Sequence, residues 1–166
     1  MKTLIALLLF CGLQVAAQDM QSCPMHTEHM KAQQRADVGK NGAEAMGFPH
    51  DKTTHHFRLY ADGGAIEVAV NDRRDTQDVK AIRSHLAHIV TMFSNGDFSL
   101  PMFVHNQVLP GVPVMKEKRS AISCSFEESP DGGRVRIKTE DRDALKAVHD
   151  FLRFQIEDHH SEDKTD

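Results

Sequence analysis

One short arrangement occurs twice in this chain, and the duplication restricts the fold more than any other feature. Asp62-Gly63-Gly64 sits between two alternating stretches, HFRLYA (residues 56–61) and AIEVAVN (residues 65–71). Asp131-Gly132-Gly133, preceded by Pro130, sits between residues 120–128 and 134–139. Alternation on either side of a Gly-containing turn reads as a β-hairpin. A helical period follows each hairpin. Asp75 or Thr76 can cap the first helix, which runs to about Ser94, and Asp141 or Asp143 can start the second. Lys80-Ala81-Ile82 aligns with Lys146-Ala147-Val148, with three residues fewer between turn and helix in the second copy. A single hairpin-plus-helix unit cannot bury its apolar face alone. Two together give an α+β fold of ββα-ββα order, a four-stranded antiparallel sheet with both helices on one face. Phe57, Leu59, Ile66, Val68 and Val70 should point inward, toward Ala144, Val148, Phe151, Leu152, Gln155 and Ile156 of the second helix. The stretch FSLPMFVHNQVLPGVPVM between the copies, with Pro101, Pro110 and Pro113, reads as a long loop.

The first helix carries two stripes. Ile82, Leu86, Ile89 and Phe93 form an apolar one. His85, His88 and Met92 fall at i, i+3 and i+7 beside it, and Met102 and His105 follow just past the helix. Imidazole and thioether groups at this density suit copper. The plainer alternative is that the histidines border the core and the methionines fill gaps. The repeat alignment sets His85 against Phe151 and His88 against Phe154, so the stripe should be at least half buried, with a site on one half of a pseudo-symmetric frame. His55 and His56 open the first strand and must point to opposite faces, and the sequence does not choose which approaches the helix. His149 should be exposed, and His159 and His160 should be solvated in an acidic tail.

The N-terminal part has its own character. Residues 1–17 (MKTLIALLLFCGLQVAA) combine Lys2, a short apolar run and small residues near Ala17, the pattern of a secretory signal peptide. The run is too short for a membrane span. The protein should therefore be periplasmic or secreted, with no membrane span after cleavage. Residues 18–50 are polar and without apolar period, so they read as a flexible leader with at most nascent helix over 28–36. A single domain should occupy 51–160, and 161–166 an acidic tail. Within the leader, Cys23, His26 and His29 are spaced by three, with Met25 between. Thiolate, imidazole and thioether donors in one run are a ligand set for copper or zinc. After signal removal two cysteines remain, Cys23 and Cys124. Export permits a bridge between them, but a polar leader and a strand do not present an obvious pair.

Two resemblances add to this. Cys23-Pro24-Met25-His26 is similar to the Cys-Pro-Met-His-Pro signature of the small heavy-metal-binding domain of copper-exporting ATPases and efflux proteins, with Thr27 where that family has proline. The resemblance implies a metal-binding role for Cys23, Met25 and His26. The stretches MGF…KTTHHF, IRSHLAHIVTMFSNGDFSLPM, PGVP and FLRFQIEDHH resemble a group of small, uncharacterised exported bacterial proteins. That implies an exported α+β domain and brings no activity.

Composition narrows the function classes. Eleven His and eight Met stand in 166 residues with no Trp, and the net charge of -4 argues against a nucleic-acid footprint. There is no phosphate loop, nucleophile elbow, HExxH, Cys-x-x-Cys or Cys-x-x-Cys-His. An enzymatic role has no motif behind it, although a triad assembled only in space stays open. The leading expectation is an exported metal-binding protein for copper, with zinc as a second ion and a periplasmic protein as a partner. The alternatives are a haem or cofactor protein with His85 or His88 as axial ligand, and an interaction module whose histidines are structural.

Overall fold

Two β-hairpins supply the frame. The computed structural model describes residues 24–166; the expected signal peptide and Cys23 lie outside the described residues. β1 (Thr53–Tyr60) and β2 (Gly63–Val70) are joined by the two-residue turn Ala61-Asp62, and β3 (Ile122–Ser129) and β4 (Gly132–Thr139) by Pro130-Asp131. The sheet order is β1-β2-β4-β3, antiparallel throughout. Ile66 pairs with Val135 in the centre. These two positions are equivalent in the repeat, so the pseudo-two-fold axis passes through that pair.

The helices follow as their caps dictate. α2 (Thr76–Ser94) is capped by Asp75, whose carboxylate accepts from the Asp78 N–H. α5 (Arg142–Asp158) is capped by Asp141, which accepts from the Asp143 and Ala144 N–H groups. Both helices cover the face that carries Phe57, Val68, Val135 and Ile137, and one core cluster joins them. The packing is crossed. α2, which follows β1-β2, rests chiefly on β4 and β3; α5, which follows β3-β4, rests on β1 and β2. Each unit therefore buries the other's hairpin, which is why neither could stand alone. Gly64 permits this closeness on β2: a Cβ there would run into Leu152 of α5.

The opposite sheet face is polar. Arg58 and Arg134 both reach Glu67, at 3.4 and 3.6 Å, and Arg134 donates to Glu127 at 2.6 Å. Arg136 lies 4.7 Å over the Tyr60 ring. Such cross-strand pairs keep a one-sided sheet soluble on its free side.

Three segments differ from the sequence expectation. The long loop contains α3 (Ser99–His105) and α4 (Val112–Glu117). Pro101 and Pro113 sit in their first turns, where a missing N–H costs no helical bond, so proline was a poor argument for loop. The leader is not simply flexible: residues Pro24–Met46 form α1, 23 residues long. It is rich in Ala, Gln, Met and Lys, whose helix propensity is high. Among its described side chains a narrow strip is buried at Val38 and Gly42, continued by Phe48 just past its end, so no apolar period shows. Asn41 also donates to the carbonyls of Phe103 and Val104 at the end of α3 (3.4 Å each). The tail is also tied down. Asp163 accepts from the Phe57 N–H (2.8 Å), His56 Nδ1 (3.0 Å), Arg58 Nη1 (2.6 Å) and the Ser161 hydroxyl (2.9 Å), which covers part of the open edge of β1. No helix among the described residues is long and apolar enough to cross a membrane.

Candidate functional site

Where α5 ends over β1, the core gives way to imidazoles. His55 projects from β1 on the same side as Phe57. His50 lies in the 3₁₀ turn His50–Lys52 that leads into β1, and His159 is the C-cap of α5. The ring centroids of His50 and His55 are 5.1 Å apart, those of His50 and His159 5.7 Å, and those of His55 and His159 5.8 Å. The three planes lie within 11–20° of one another. His105, the last residue of α3, meets His159 edge-on at 5.1 Å, and the Phe57 ring lies tilted against His159 at 5.3 Å.

Hydrogen bonding divides these side chains. His105 is fully engaged: Asp158 accepts from Nδ1 at 2.6 Å, and Nε2 meets the Gln155 amide at 3.0 Å. The other side of that amide is buried without a partner, and turning it over would only exchange which atom is left. His50 Nε2, His55 Nε2 and His159 Nδ1 are likewise buried without a partner among the described residues. Burial, reinforced by the neighbouring imidazoles, pushes the His55 pKa down to about 3 and that of His159 to about 2. Burial also lowers His50 against the opposing pull of Asp51, and with His88 pushes His85 down to about 4. The cluster is therefore neutral near pH 7, the state in which imidazole is a metal ligand.

A cavity of ≈ 90 Å³ adjoins the cluster, lined by His55, His85, His105, His159 and Gln155 among apolar walls. α1 closes it with Gly42, Ala45 and Met46. As the side chains are placed, no group of three or more His, Cys, Asp or Glu among the described residues could hold a metal ion.

The expected site residues are thus sorted. His55, His85 and His105 come together around the cavity, and His55 is the one of its pair that faces the helices. His56 lies on the other face, bound to Asp163. His88 is exposed and does not line the cavity, contrary to the expected half-burial: the repeat position it shares with Phe154 lies at the helix rim. Met92 and Met102 pack against the core periphery and do not line the cavity. Cys23 lies outside the described residues, as do the side chains of Met25, His26 and His29. Cys124 is a free thiol, and burial pushes its pKa up to about 11. His149 is not simply exposed, since Nε2–H is shared between the carbonyls of Tyr60 and Gly63 at 2.9 Å each. His105 sits on a helix and not in a loop.

His50 and His159 were missed. For His159 the signal existed. Extending the helix alignment by one turn sets it against Phe93, a buried position, so the acidic neighbours misled. For His50 only its closeness to β1 was legible. No protein-family model, curated protein or solved structure matches this chain.

Proposed function

We propose that this chain is an exported, periplasmic or secreted metal-binding protein that handles copper, with zinc as a second ion of similar ligand chemistry. One observation carries the reading: three imidazole nitrogens, on His50, His55 and His159, are buried together without hydrogen-bond partners. An orphaned buried polar group costs about 1–3 kcal/mol, and three in one place call for an occupant. The cavity has room for water, but its walls are apolar and offer few of the polar partners a buried water needs, whereas a metal ion draws on the nitrogens alone. The donor run Cys23, Met25, His26 and His29 supports the same chemistry from the other end of α1.

The length of α1 bears on how the two relate. At 1.5 Å per residue, ~30 Å of helix separates His26 from Met46, which borders the cavity. The leader run and the histidine cluster are therefore two sites. The cavity also favours an ion over haem, since organic cofactors occupy pockets of roughly 300 Å³ or more. An interaction module with structural histidines would leave the orphaned nitrogens unexplained.

Metal analysis of the full exported chain tests the reading. After equilibration with copper and zinc and removal of free ion, at least one tightly held equivalent per chain is expected. A chain that retains neither ion would reject the proposal.

A further inference from the structure

We infer that His50 Nε2, His55 Nε2 and His159 Nδ1 form a three-imidazole centre for a borderline divalent cation, zinc or copper(II), separate from the leader run. The inference rests on the metal-binding reading above and specifies its ligands and its ion class. Centroid separations of 5.1, 5.7 and 5.8 Å make a nearly equilateral triangle. Three rings piled in one stack would put the outer pair much farther apart than either neighbouring pair. The rings instead stand at the corners of a triangle, and each has a nitrogen without a partner among the described residues.

The supports of the triangle are rigid. His55 is fixed by the β1–β2 ladder opposite Val68. His50 is held in a turn whose carbonyl accepts from the Thr53 hydroxyl at 3.1 Å. His159 caps α5, and its N–H donates to the Gln155 carbonyl at 3.0 Å. Phe57 and His105 both pack against the His159 ring, and His105 is itself anchored by Asp158. Backbone positions are thus set, and the remaining freedom is rotation of each side chain about its Cα–Cβ and Cβ–Cγ bonds. The second torsion is broad and roughly two-fold. It is needed, because the side chains as placed do not make a coordination shell.

The donors define the ion. Neutral imidazoles suit zinc and copper(II), whereas copper(I) selects thiolate and thioether sulfur. Cys124 stands on β3, at the far edge of the sheet from β1, and Met92 and Met102 do not line the cavity; Met46 does, and brings one thioether against three imidazoles. Thiolate ligation belongs to the leader run, so the chain would carry a thiolate-containing site and an imidazole-dominated site at opposite ends of α1.

X-ray absorption on the full chain carrying Cys23→Ser, loaded with one equivalent of zinc, reads the first shell without competition from the leader thiolate, and His55→Gln plus His159→Gln in the same background tests the assignment. The expected result is a nitrogen-only shell with imidazole scattering, and at least a 100-fold loss of affinity in the double variant while it still melts cooperatively. A shell containing sulfur, or a folded variant that keeps its affinity, would overturn the three-imidazole centre and leave metal binding to the leader run. If the histidine variant does not melt cooperatively, the spectrum of the Cys23→Ser chain with both histidines intact decides alone. A chain that retains no zinc and no copper(II) would overturn both this inference and the reading on which it rests.

Discussion

The two copies of the repeat close their helices with different rings. At the end of α2, Phe93 stacks on Phe98 at 4.5 Å and meets Phe151 edge-on at 5.9 Å. The repeat alignment sets Phe93 against His159 and His55 against Cys124. At the end of α5 the same frame is therefore filled by His159, His50 and His55. Phenyl rings need nothing beyond contact, and Phe98 and Phe151 are fully buried. Imidazoles in that place bring nitrogens that must be desolvated, and three of them find no partner. One end is built for stability; the other accepts a local cost that a ligand can offset.

Substitutions at the two ends should fail in different ways. The largest effect belongs to the phenyl end. Phe98→Ala should destabilise the fold by about 3–5 kcal/mol in denaturant melts, with metal affinity per folded chain unchanged. Affinity lost in parallel with stability would mean that the two ends are not separable.

Making the imidazole end resemble the phenyl end should act in the opposite sense. His55→Phe plus His159→Phe, studied with chelator, should raise stability by about 1–3 kcal/mol, because unpartnered nitrogens are replaced by apolar rings of similar shape. A drop of that size would show that the nitrogens are satisfied in the metal-free protein.

The tail contributes at the same end. Burial pushes the Asp163 carboxyl up, but the Phe57 amide, Ser161, His56 and Arg58 outweigh it and hold the group below its ordinary pKa. A carboxyl whose folded pKa is depressed contributes stability above its unfolded value, about 3.9, and loses it as pH falls through the folded value. Exchange protection of the Phe57 amide should therefore be intact at pH 6 and fall below about pH 4. Asp163→Ala should remove that protection at all pH values, at a cost of about 1–2 kcal/mol. Protection independent of both would remove the tail from the account.

The smallest effect tests the part of the first helix that lies outside the centre. His88→Ala should change stability by less than about 0.5 kcal/mol and leave zinc affinity intact, since the side chain is exposed. A clear loss of zinc would restore the His85–His88 stripe as a site.

The frame was legible because each level of the sequence pointed the same way. The Asp-Gly-Gly turns, the capping aspartates and the stripe Ile82, Leu86, Ile89, Phe93 all agree with their final positions. The crossed packing was not legible, since which hairpin a helix covers depends on strand order and not on periodicity. The site was half legible. His55, His85 and His105 were candidates for their chemistry, but only folding separates His55 from His56 or His85 from His88. His159 was hidden by its charged neighbours, and His50 by a leader whose helix touches the body along a strip too narrow to leave a period.

Melting the full chain with chelator, and with zinc at about 100 times its dissociation constant, shows whether the imidazole end holds an ion. An ion held only by the folded state should add about 2.7 kcal/mol. For a domain of this size that raises Tm by roughly 5–10 °C. The rise should vanish in the variant carrying His50→Phe, His55→Phe and His159→Phe. An unchanged Tm for the wild type, or the same rise in the variant, would contradict the account.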